Sequence, residues 1–287
     1  MTNLLRERQP TVGDISLNEQ EITISFADLP DTCFVNPKDR PLGTLITIPA
    51  LAKRNYKGLK IGKILTGDVV TEASNKIRIM TKKPIGLTVL LGEIKNKVEI
   101  ADNVSGNYHL ALWRNTQVII GKDTTANLLN IEARRGVISI GQDCMISEAW
   151  IQATDMHGVW SLETKQPVNK AGYSITIEDG VWIGRRSSIV RPVTIGKGAI
   201  IAFGAIVTKD VPRCSIVAGN PAQITKRNVT WTRHFKDQNE FERKVSSMNF
   251  GEELITLIPS QANWSDKFAA SVQNLKRLFL KESNPHG

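Results

Sequence analysis

The stretch IEDGVWIGRRSSIVRPVTIGKGAIIAFGAIVTKDV (177–211) decides the fold of this chain. An aliphatic residue recurs at every sixth position, and a small or branched residue follows each of them four positions later. The first set is Ile177, Ile183, Ile189, Ile195, Ile201 and Val207, and the second set is Val181, Ser187, Val193, Ala199, Ala205 and Val211. A period of six fits neither the roughly 3.6-residue repeat of a helix nor the two-residue repeat of a strand. It is typical of a parallel β-helix built from hexapeptides, three to a coil. We therefore predict an all-β fold with one aliphatic side chain pointing inward from each face.

A second regularity precedes this stretch. The segments IADNVS (100–105), IGKDTT (120–125) and IGQDCM (140–145) begin twenty residues apart, so we interpret them as one edge of the same β-helix. The step from Ile140 to Ile177 is thirty-seven residues, which is too long for a single coil. We predict that the polar segment 157–173 is a loop thrown out of the stack. Long excursions from a rigid scaffold are where function tends to lie.

These patterns divide the chain into three predicted parts. Residues 1–84 form an N-terminal β-rich region, residues 85–228 the β-helix domain, and residues 229–287 a C-terminal helical appendage. The segments EITISFADL and GTLITIPAL predict strands in the first part. Helical spacing in the last part connects Phe268, Val272, Leu275 and Phe279.

Composition narrows the class of protein. The chain has 287 residues, a net charge of +9 and three widely separated cysteines without a CxxC motif, which favours a reducing, cytoplasmic setting. It contains no apolar run long enough for a membrane span, and its first residues lack the apolar core of a signal peptide. The basic residues are scattered and aromatic residues make up only 6%, which argues against a nucleic-acid partner. A phosphate-bearing cofactor or an acidic sugar polymer fits the positive charge equally well.

Three residues at the predicted break are candidates for chemistry. His157 ends a coil and opens the loop, a suitable position for a general base. Asp155 either orients His157 or serves as a turn residue, since residues i and i+2 of a strand share a face. Trp182 either forms a pocket wall with an N–H to donate, or packs outward on the loop or a partner subunit.

Basic residues of the repeat suggest a site for phosphates. Arg185, Lys209, Lys226 and Arg227 would suit them if they line one groove, although solvated corners are the simpler interpretation for any single residue. Cys144 occupies an inward, packing position, which makes a covalent route through its thiol the less favoured alternative.

The stretch 181–227 resembles the C-terminal half of the hexapeptide-repeat acetyltransferases, and the match is dense over residues 136–227. Within that family, ISIGQDCMISEAWIQATDMH (138–157) followed by WSLETKQPVN (160–169) is most similar to bacterial capsular polysaccharide and sialic acid O-acetyltransferases. The segment NVTWTR (228–233) resembles the same group.

The resemblance implies a left-handed parallel β-helix, acetyl-CoA as the acetyl donor, and a homotrimer with active sites between neighbouring helices. It implies that His157 is the catalytic base and that Trp182 assists at the same site. The positions that match coenzyme A contacts in relatives are Gly184, Arg185, Phe203, Gly204, Thr208, Lys209 and Lys226. Two departures stand out: Gly158 occurs where the subgroup tends to have proline, and Phe203 replaces a residue that is usually small.

The resemblance therefore implies transfer of an acetyl group from acetyl-CoA to a sugar hydroxyl of a bacterial capsular or lipopolysaccharide glycan. One alternative is N-acetylation of a nucleotide-linked amino sugar, and another is a non-catalytic scaffold that binds polysaccharide. A zinc carbonic anhydrase of the same fold needs several converging histidines, and the repeat contains only His109 and His157. We expect no metal.

Overall fold

The computed structural model describes residues 21–25, 31–33, 35, 45–49, 58–63 and 75–247, most of which form one parallel β-helix. One 3₁₀ turn, Asp31–Cys33, and one α-helix, α1 (Gln238–Ser247), are the helices of this part of the chain. The strands are β1 (Glu21–Ser25), β2 (Leu45–Pro49), β3 (Leu59–Lys63), β4 (Lys76–Ile79), β5 (Ile85–Leu91), β6 (Lys97–Ile100), β7 (Ser105–Leu112), β8 (Gln117–Ile120), β9 (Thr125–Ala133), β10 (Val137–Ile140), β11 (Met145–Ala153), β12 (Ile175–Ile177), β13 (Trp182–Ile183), β14 (Ser187–Val190), β15 (Thr194–Ile195), β16 (Ile200–Ile201), β17 (Ile206–Val207), β18 (Ser215–Ala218) and β19 (Gln223–Arg227).

Two long sheets carry the stack. The first has the order β1-β2-β4-β6-β8-β10-β12-β15, and the second has the order β19-β18-β16-β13-β11-β9-β7-β5-β3. Strand β14 pairs with β11 and β17, which gives the coil its third face. The twenty-residue segments fall in register as predicted, because Ile100, Ile120 and Ile140 are successive partners. Ile177 pairs directly with Ile140, so the thirty-seven residues between them contain one coil and the excursion.

The prediction that the aliphatic residues of the repeat point inward is confirmed. Every aliphatic residue of the six-residue repeat, and every residue four positions after it, is at most 4% exposed. The glycines after two of the aliphatics allow the next coil to approach closely. A Cβ on Gly184 would lie 2.7 Å from the carbonyl oxygen of Ile201, and a Cβ on Gly196 would lie 2.5 Å from the backbone nitrogen of Arg213. The repeat therefore fixes both the core and the contact between coils.

One corner of the helix shows how each coil turns. Asn103, Asp123, Asp143, Gly180 and Gly198 occupy it in successive coils, and each has a positive φ between 50° and 66°. Asparagine, aspartate and glycine are the residues that tolerate this left-handed conformation best. Corner geometry thus explains why asparagine, aspartate or glycine occurs three positions after the aliphatic residue of each of these coils.

The upstream coils differ from the downstream repeat in the length of their strands. Strand β11 pairs with β13 through its first residues and with β14 through its last residues, so one nine-residue strand covers two faces. Strand β9 has the same length and pairs with β11 almost throughout.

Parallel pairing continues upstream of the boundary predicted at residue 85, because β3 pairs with β5 and β2 pairs with β4. The predicted strands in the N-terminal region are confirmed as β1 and β2, which pair in antiparallel fashion. The helical spacing that begins at Phe268 lies outside the described residues.

The chain divides into two compact units, with the boundary between Trp231 and Thr232. In the second unit, Asp237 caps α1, since its Oδ1 accepts a hydrogen bond of 2.8 Å from the backbone N–H of Glu240. Among the described helices, none combines the length and hydropathy that crossing a bilayer requires.

Candidate active site

The excursion is an arm clamped at its base. The chain leaves the stack after β11 and rejoins it at β12. At the base, the N–H of Tyr173 donates to the carbonyl of Ala153 at 2.9 Å, and the hydroxyl of Thr154 donates to the carbonyl of Ala171 at 2.9 Å. Both ends of the excursion are therefore held together where they meet the rigid coil.

The arm folds back on itself. Trp160 and Pro167 form an antiparallel bridge, and the N–H of Val168 donates to the carbonyl of Val159 at 2.8 Å. Four apolar side chains of this arm are more than half exposed, namely Val159, Trp160, Leu162 and Val168. The arm thus presents apolar surface next to the corner from which it emerges.

His157 is fixed by its backbone. Its N–H donates to the carbonyl of Asp155 at 2.6 Å, and its carbonyl accepts a hydrogen bond of 2.8 Å from the side-chain amide of Asn169. The preceding Met156 has a left-handed φ of 59° and donates its N–H to the hydroxyl of Thr154 at 3.0 Å. The side chain of His157 is exposed, and its imidazole has no hydrogen-bond partner among the described residues. A rigid backbone thus carries a free imidazole, as a general base requires.

Asp155 is engaged elsewhere. Its Oδ2 accepts hydrogen bonds from the hydroxyl of Tyr173 and, at 2.9 Å, from the side-chain amide of Asn169. The hydrogen bond from Tyr173 contributes most, and the one from Asn169 contributes next, to holding the pKa of the Asp155 carboxyl below its usual range. Burial, together with the bond to Asp155, raises the pKa of Tyr173 to about 12. Within the described part of the chain, Asp155 reaches His157 only through the backbone, so it clamps the arm and does not contact the imidazole.

We expect the Tyr173→Phe variant to raise the pKa of Asp155 toward that of an ordinary aspartate. The hydroxyl of Tyr173 stabilises the ionised carboxylate most strongly, and phenylalanine cannot donate a hydrogen bond. Because the folded-state pKa of Asp155 is lowered, its stabilising contribution is present above the unfolded-state pKa and is lost as pH falls through the folded-state value. An NMR titration of the carboxyl carbon measures the change. Ser174→Ala, next in the chain, is the control, and an identical Asp155 titration in wild type and Tyr173→Phe would contradict the clamp.

Trp182 starts β13 and is half-buried. Its ring lies 6.1 Å from that of Trp231, at an interplanar angle of 51°. Its Nε1 is buried and has no acceptor among the described residues. In this conformation the indole N–H is closed off from solvent.

Within one chain, Trp182 and His157 lie at different places on the coil. Trp182 pairs with Met145 at the start of β11, whereas His157 follows the end of that strand. The two side chains therefore belong to different corners of the coil in one chain.

The residues predicted to bind coenzyme A fall into separate places. Arg185, Phe203 and Gly204 share a corner, since the N–H of Gly204 donates to the carbonyl of Arg185 at 2.9 Å. Phe203 is 68% exposed at this corner. Gly184 precedes it at a buried position where the coils touch.

Thr208 and Lys209 follow β17 and lie at the next corner, in register with Val190 and Arg191. Lys226 lies on β19, opposite Ile216, where the chain runs antiparallel along the last coil. Arg185 and Lys209 therefore lie at different corners of one chain, and the phosphate groove stays a prediction. The two residues are twenty-four positions apart in the sequence, which corresponds to one coil of eighteen residues plus one face of six. Arg185 is paired with Glu148, with 2.8 Å between Nε and Oε2.

Cys144 has the predicted packing role. It is fully buried, and its Sγ lies 3.3 Å from the carbonyl oxygen of Glu178. Burial raises the pKa of the Cys144 thiol to about 12, so the thiolate needed for a covalent route is scarce near neutral pH.

Tyr173, Asn169 and Trp231 were missed by sequence reasoning, because none of them belongs to the repeat.

The segment that contains Trp231 forms a strap across one corner. Val229 N–H donates to the Cys214 carbonyl at 3.0 Å, Thr230 Oγ1 lies 3.5 Å from the Gly198 carbonyl, and Trp231 Nε1 donates to the Gly180 carbonyl at 2.6 Å. Trp231 is 5% exposed, and the tryptophan in NVTWTR was its only sequence signal.

One cluster of metal-ligating types occurs in the described residues, formed by His234, Asp237 and Glu240. Its carboxylates already serve α1, because Asp237 caps the helix and Glu240 accepts the N–H of Arg233 at 2.7 Å. Asp237 thus caps the start of the helix, and Glu240 holds the backbone of the segment before it. His109 lies within β7, which β9 separates from β11.

Residues 174–209 match the family model described as bacterial transferase hexapeptide (six repeats). The polysialic acid O-acetyltransferase of Escherichia coli O1:K1 / APEC is 34% identical over 138 residues, which is 47% of this chain and 45% of that protein. A 2,3,4,5-tetrahydropyridine-2,6-dicarboxylate N-acetyltransferase of Staphylococcus aureus (strain JH9) is 53% identical over 53 residues, which is 18% of this chain and 22% of that protein. The chain thus spans less than half the length of these curated relatives.

Two solved structures share the fold. The polySia-specific acetyltransferase NeuO has a TM-score of 0.58 and 31% identity, over 66% of this chain and 86% of that one. The polysialic acid O-acetyltransferase OatWY has a TM-score of 0.53 and 28% identity, over 59% of this chain and 82% of that one. The chain belongs to the hexapeptide-repeat acetyltransferase family.

Proposed function

We propose that this protein transfers an acetyl group from acetyl-CoA to a hydroxyl of an acidic, sialic-acid-type sugar polymer. Support comes from NeuO, OatWY and the E. coli relative, which are acetyltransferases of polysialic acid and are similar to this chain. The net charge of +9 suits an anionic acceptor.

The observation that carries the proposal is the free, exposed imidazole of His157 on a clamped backbone. His157 removes the proton from the acceptor hydroxyl while that oxygen attacks the thioester carbonyl. The tetrahedral intermediate collapses with cleavage of the C–S bond, and the imidazolium returns its proton to the departing coenzyme A sulfur. The acetyl ester and free coenzyme A are the products, and no acyl-enzyme forms.

We infer a homotrimer for the active enzyme. His157 and Trp182 lie at different corners of one chain, and a neighbouring copy would bring a second wall to His157. The exposed apolar side chains of the arm suit burial against that neighbour. Coenzyme A would then lie between two helices, along the corner of Arg185 and Phe203 on one and the corner of Lys209 on the other.

We place the reaction in the cytoplasm, where the three free and buried cysteines would remain reduced. N-acetylation is the less supported alternative. The S. aureus N-acetyltransferase matches only 53 residues, whereas the O-acetyltransferase match extends over 138.

An acetyl-transfer assay tests the proposal. The full chain is incubated with labelled acetyl-CoA and a panel of capsular and lipopolysaccharide fragments, including oligosialic acid and an amino-sugar nucleotide. Mass spectrometry reads the product, and alkaline lability distinguishes an O-acetyl ester from an amide. We expect an ester on the acidic glycan. Amide formation on the nucleotide sugar, or no transfer to any acceptor, would overturn the assignment.

A further inference from the structure

Two exposed arginines flank the base of the arm. Arg135 stands one coil before it, since Ala133 pairs with Ala153 in the register of β9 and β11. A Cβ on Gly172, where the arm returns, would lie 3.3 Å from the carbonyl oxygen of Arg135. Arg135 is therefore immediately beside the residues that position His157.

Arg191 stands one coil after the base. It follows Val190, which pairs with Gln152 near the end of β11. Its positive charge contributes to lowering the pKa of Asp155, although less than the hydrogen bonds from Tyr173 and Asn169 do. Arg191 is therefore close enough to the base of the arm for its charge to act there.

Neither arginine forms an ion pair with a carboxylate in the described part of the chain. By comparison, two cations elsewhere on the helix are paired: Lys122 lies 3.7 Å from Asp123, and Lys197 lies 3.6 Å from Asp179. The backbones of Arg135 and Arg191 are left-handed, with φ of 50° and 75°, although arginine has no preference for that conformation. Asparagine and glycine, which suit such corners better, occur at other corners of the same helix. Arg186 has the same conformation, with φ of 58°, so what distinguishes Arg135 and Arg191 is their place beside the arm, where their exposed side chains can meet a carboxylate of a ligand.

We propose that Arg135 and Arg191 bind carboxylates of the acidic acceptor on either side of the sugar that His157 deprotonates. This inference rests on the proposed function and names the residues that select the acceptor. Adjacent strands are about 4.8 Å apart, so the two arginines straddle the base of the arm over roughly 10 Å along the helix axis. A guanidinium group can hold a carboxylate through two parallel hydrogen bonds. A polymer with a carboxylate on every sugar presents one to each arginine while its hydroxyl lies between them.

The phosphates of coenzyme A are the competing anion, and the experiment separates the two. Arg135→Gln, Arg191→Gln and the double variant are compared with wild type and with Lys122→Gln, which removes a paired cation at another corner. Fluorescence anisotropy measures binding of labelled oligosialic acid and of its carboxyl-reduced, neutral counterpart. Steady-state assays measure KM for the acceptor and for acetyl-CoA.

We expect the double variant to bind oligosialic acid at least tenfold more weakly, with a smaller salt dependence. The neutral counterpart should bind weakly and equally to all variants, and KM for acetyl-CoA should stay within twofold of wild type. A rise in KM for acetyl-CoA with unchanged oligosialic acid binding would assign the arginines to coenzyme A and overturn the inference. So would wild-type affinity for oligosialic acid in the double variant. Failure of the proposed function looks different, because the wild-type protein itself would then transfer no acetyl group to the acidic glycan.

Discussion

Replacement of His157 by alanine is expected to lower kcat by about 10²–10⁴-fold, the usual contribution of a general base. The KM for acetyl-CoA should change little, because the side chain meets the acceptor hydroxyl. The backbone around His157 is held by Asp155, Asn169 and Thr154 through main-chain and side-chain bonds that alanine leaves intact. The loss should therefore report the imidazole and not a displaced arm. Initial rates of labelled acetyl transfer measure it.

The matched control is His109→Ala. His109 is also an exposed histidine of a β-helix strand, but β9 separates its strand from β11. We expect wild-type kcat in this control. Near-normal turnover in His157→Ala would contradict the general-base mechanism. An equal loss of kcat in both variants would indicate a nonspecific effect on the fold.

Replacement of Trp231 by alanine should lower the free energy of unfolding by about 3–5 kcal/mol, as expected for deletion of a buried tryptophan. The variant loses the bond from Nε1 to the carbonyl of Gly180 and the ring that packs on Trp182. It also leaves the Gly180 carbonyl without its indole donor and opens a cavity beside Trp182. Chemical denaturation followed by circular dichroism measures the change.

Two variants check this expectation. Trp231→Phe keeps most of the packing and should recover more than half of the lost stability. Trp160→Ala removes a tryptophan that is 62% exposed on the arm and should be nearly neutral in the isolated chain. Equal unfolding midpoints for Trp231→Ala and Trp160→Ala would rule out a stabilising role for the strap.

The repeat was predictable because each of its positions has the same local environment in every coil. Ile183 and Ile201 must point inward, and Gly196 must admit the next coil, so periodicity alone defines their environments. The length of the gap before Ile177 located the excursion for the same reason.

The contacts of the site were less predictable. The bonds from Tyr173 and Asn169 to Asp155 form inside an aperiodic loop, where no spacing rule tells which side chains meet. Composition alone could not tell whether the basic residues of the repeat line one groove. Arg185 and Lys209 are both basic corner residues, but register assigns them to different corners.

The strap across Cys214, Gly198 and Gly180 has a consequence for how the β-helix comes apart. In a solenoid, each coil contacts only its neighbours, so an unprotected end frays one coil at a time. Here one short segment bonds to three coils at once. The outermost coil cannot open until that segment detaches, and its detachment loosens all three coils together. Amide hydrogens of β13, β16 and β18 should therefore exchange with a common opening free energy, as a single cooperative block that keeps the wall of the proposed coenzyme A site closed.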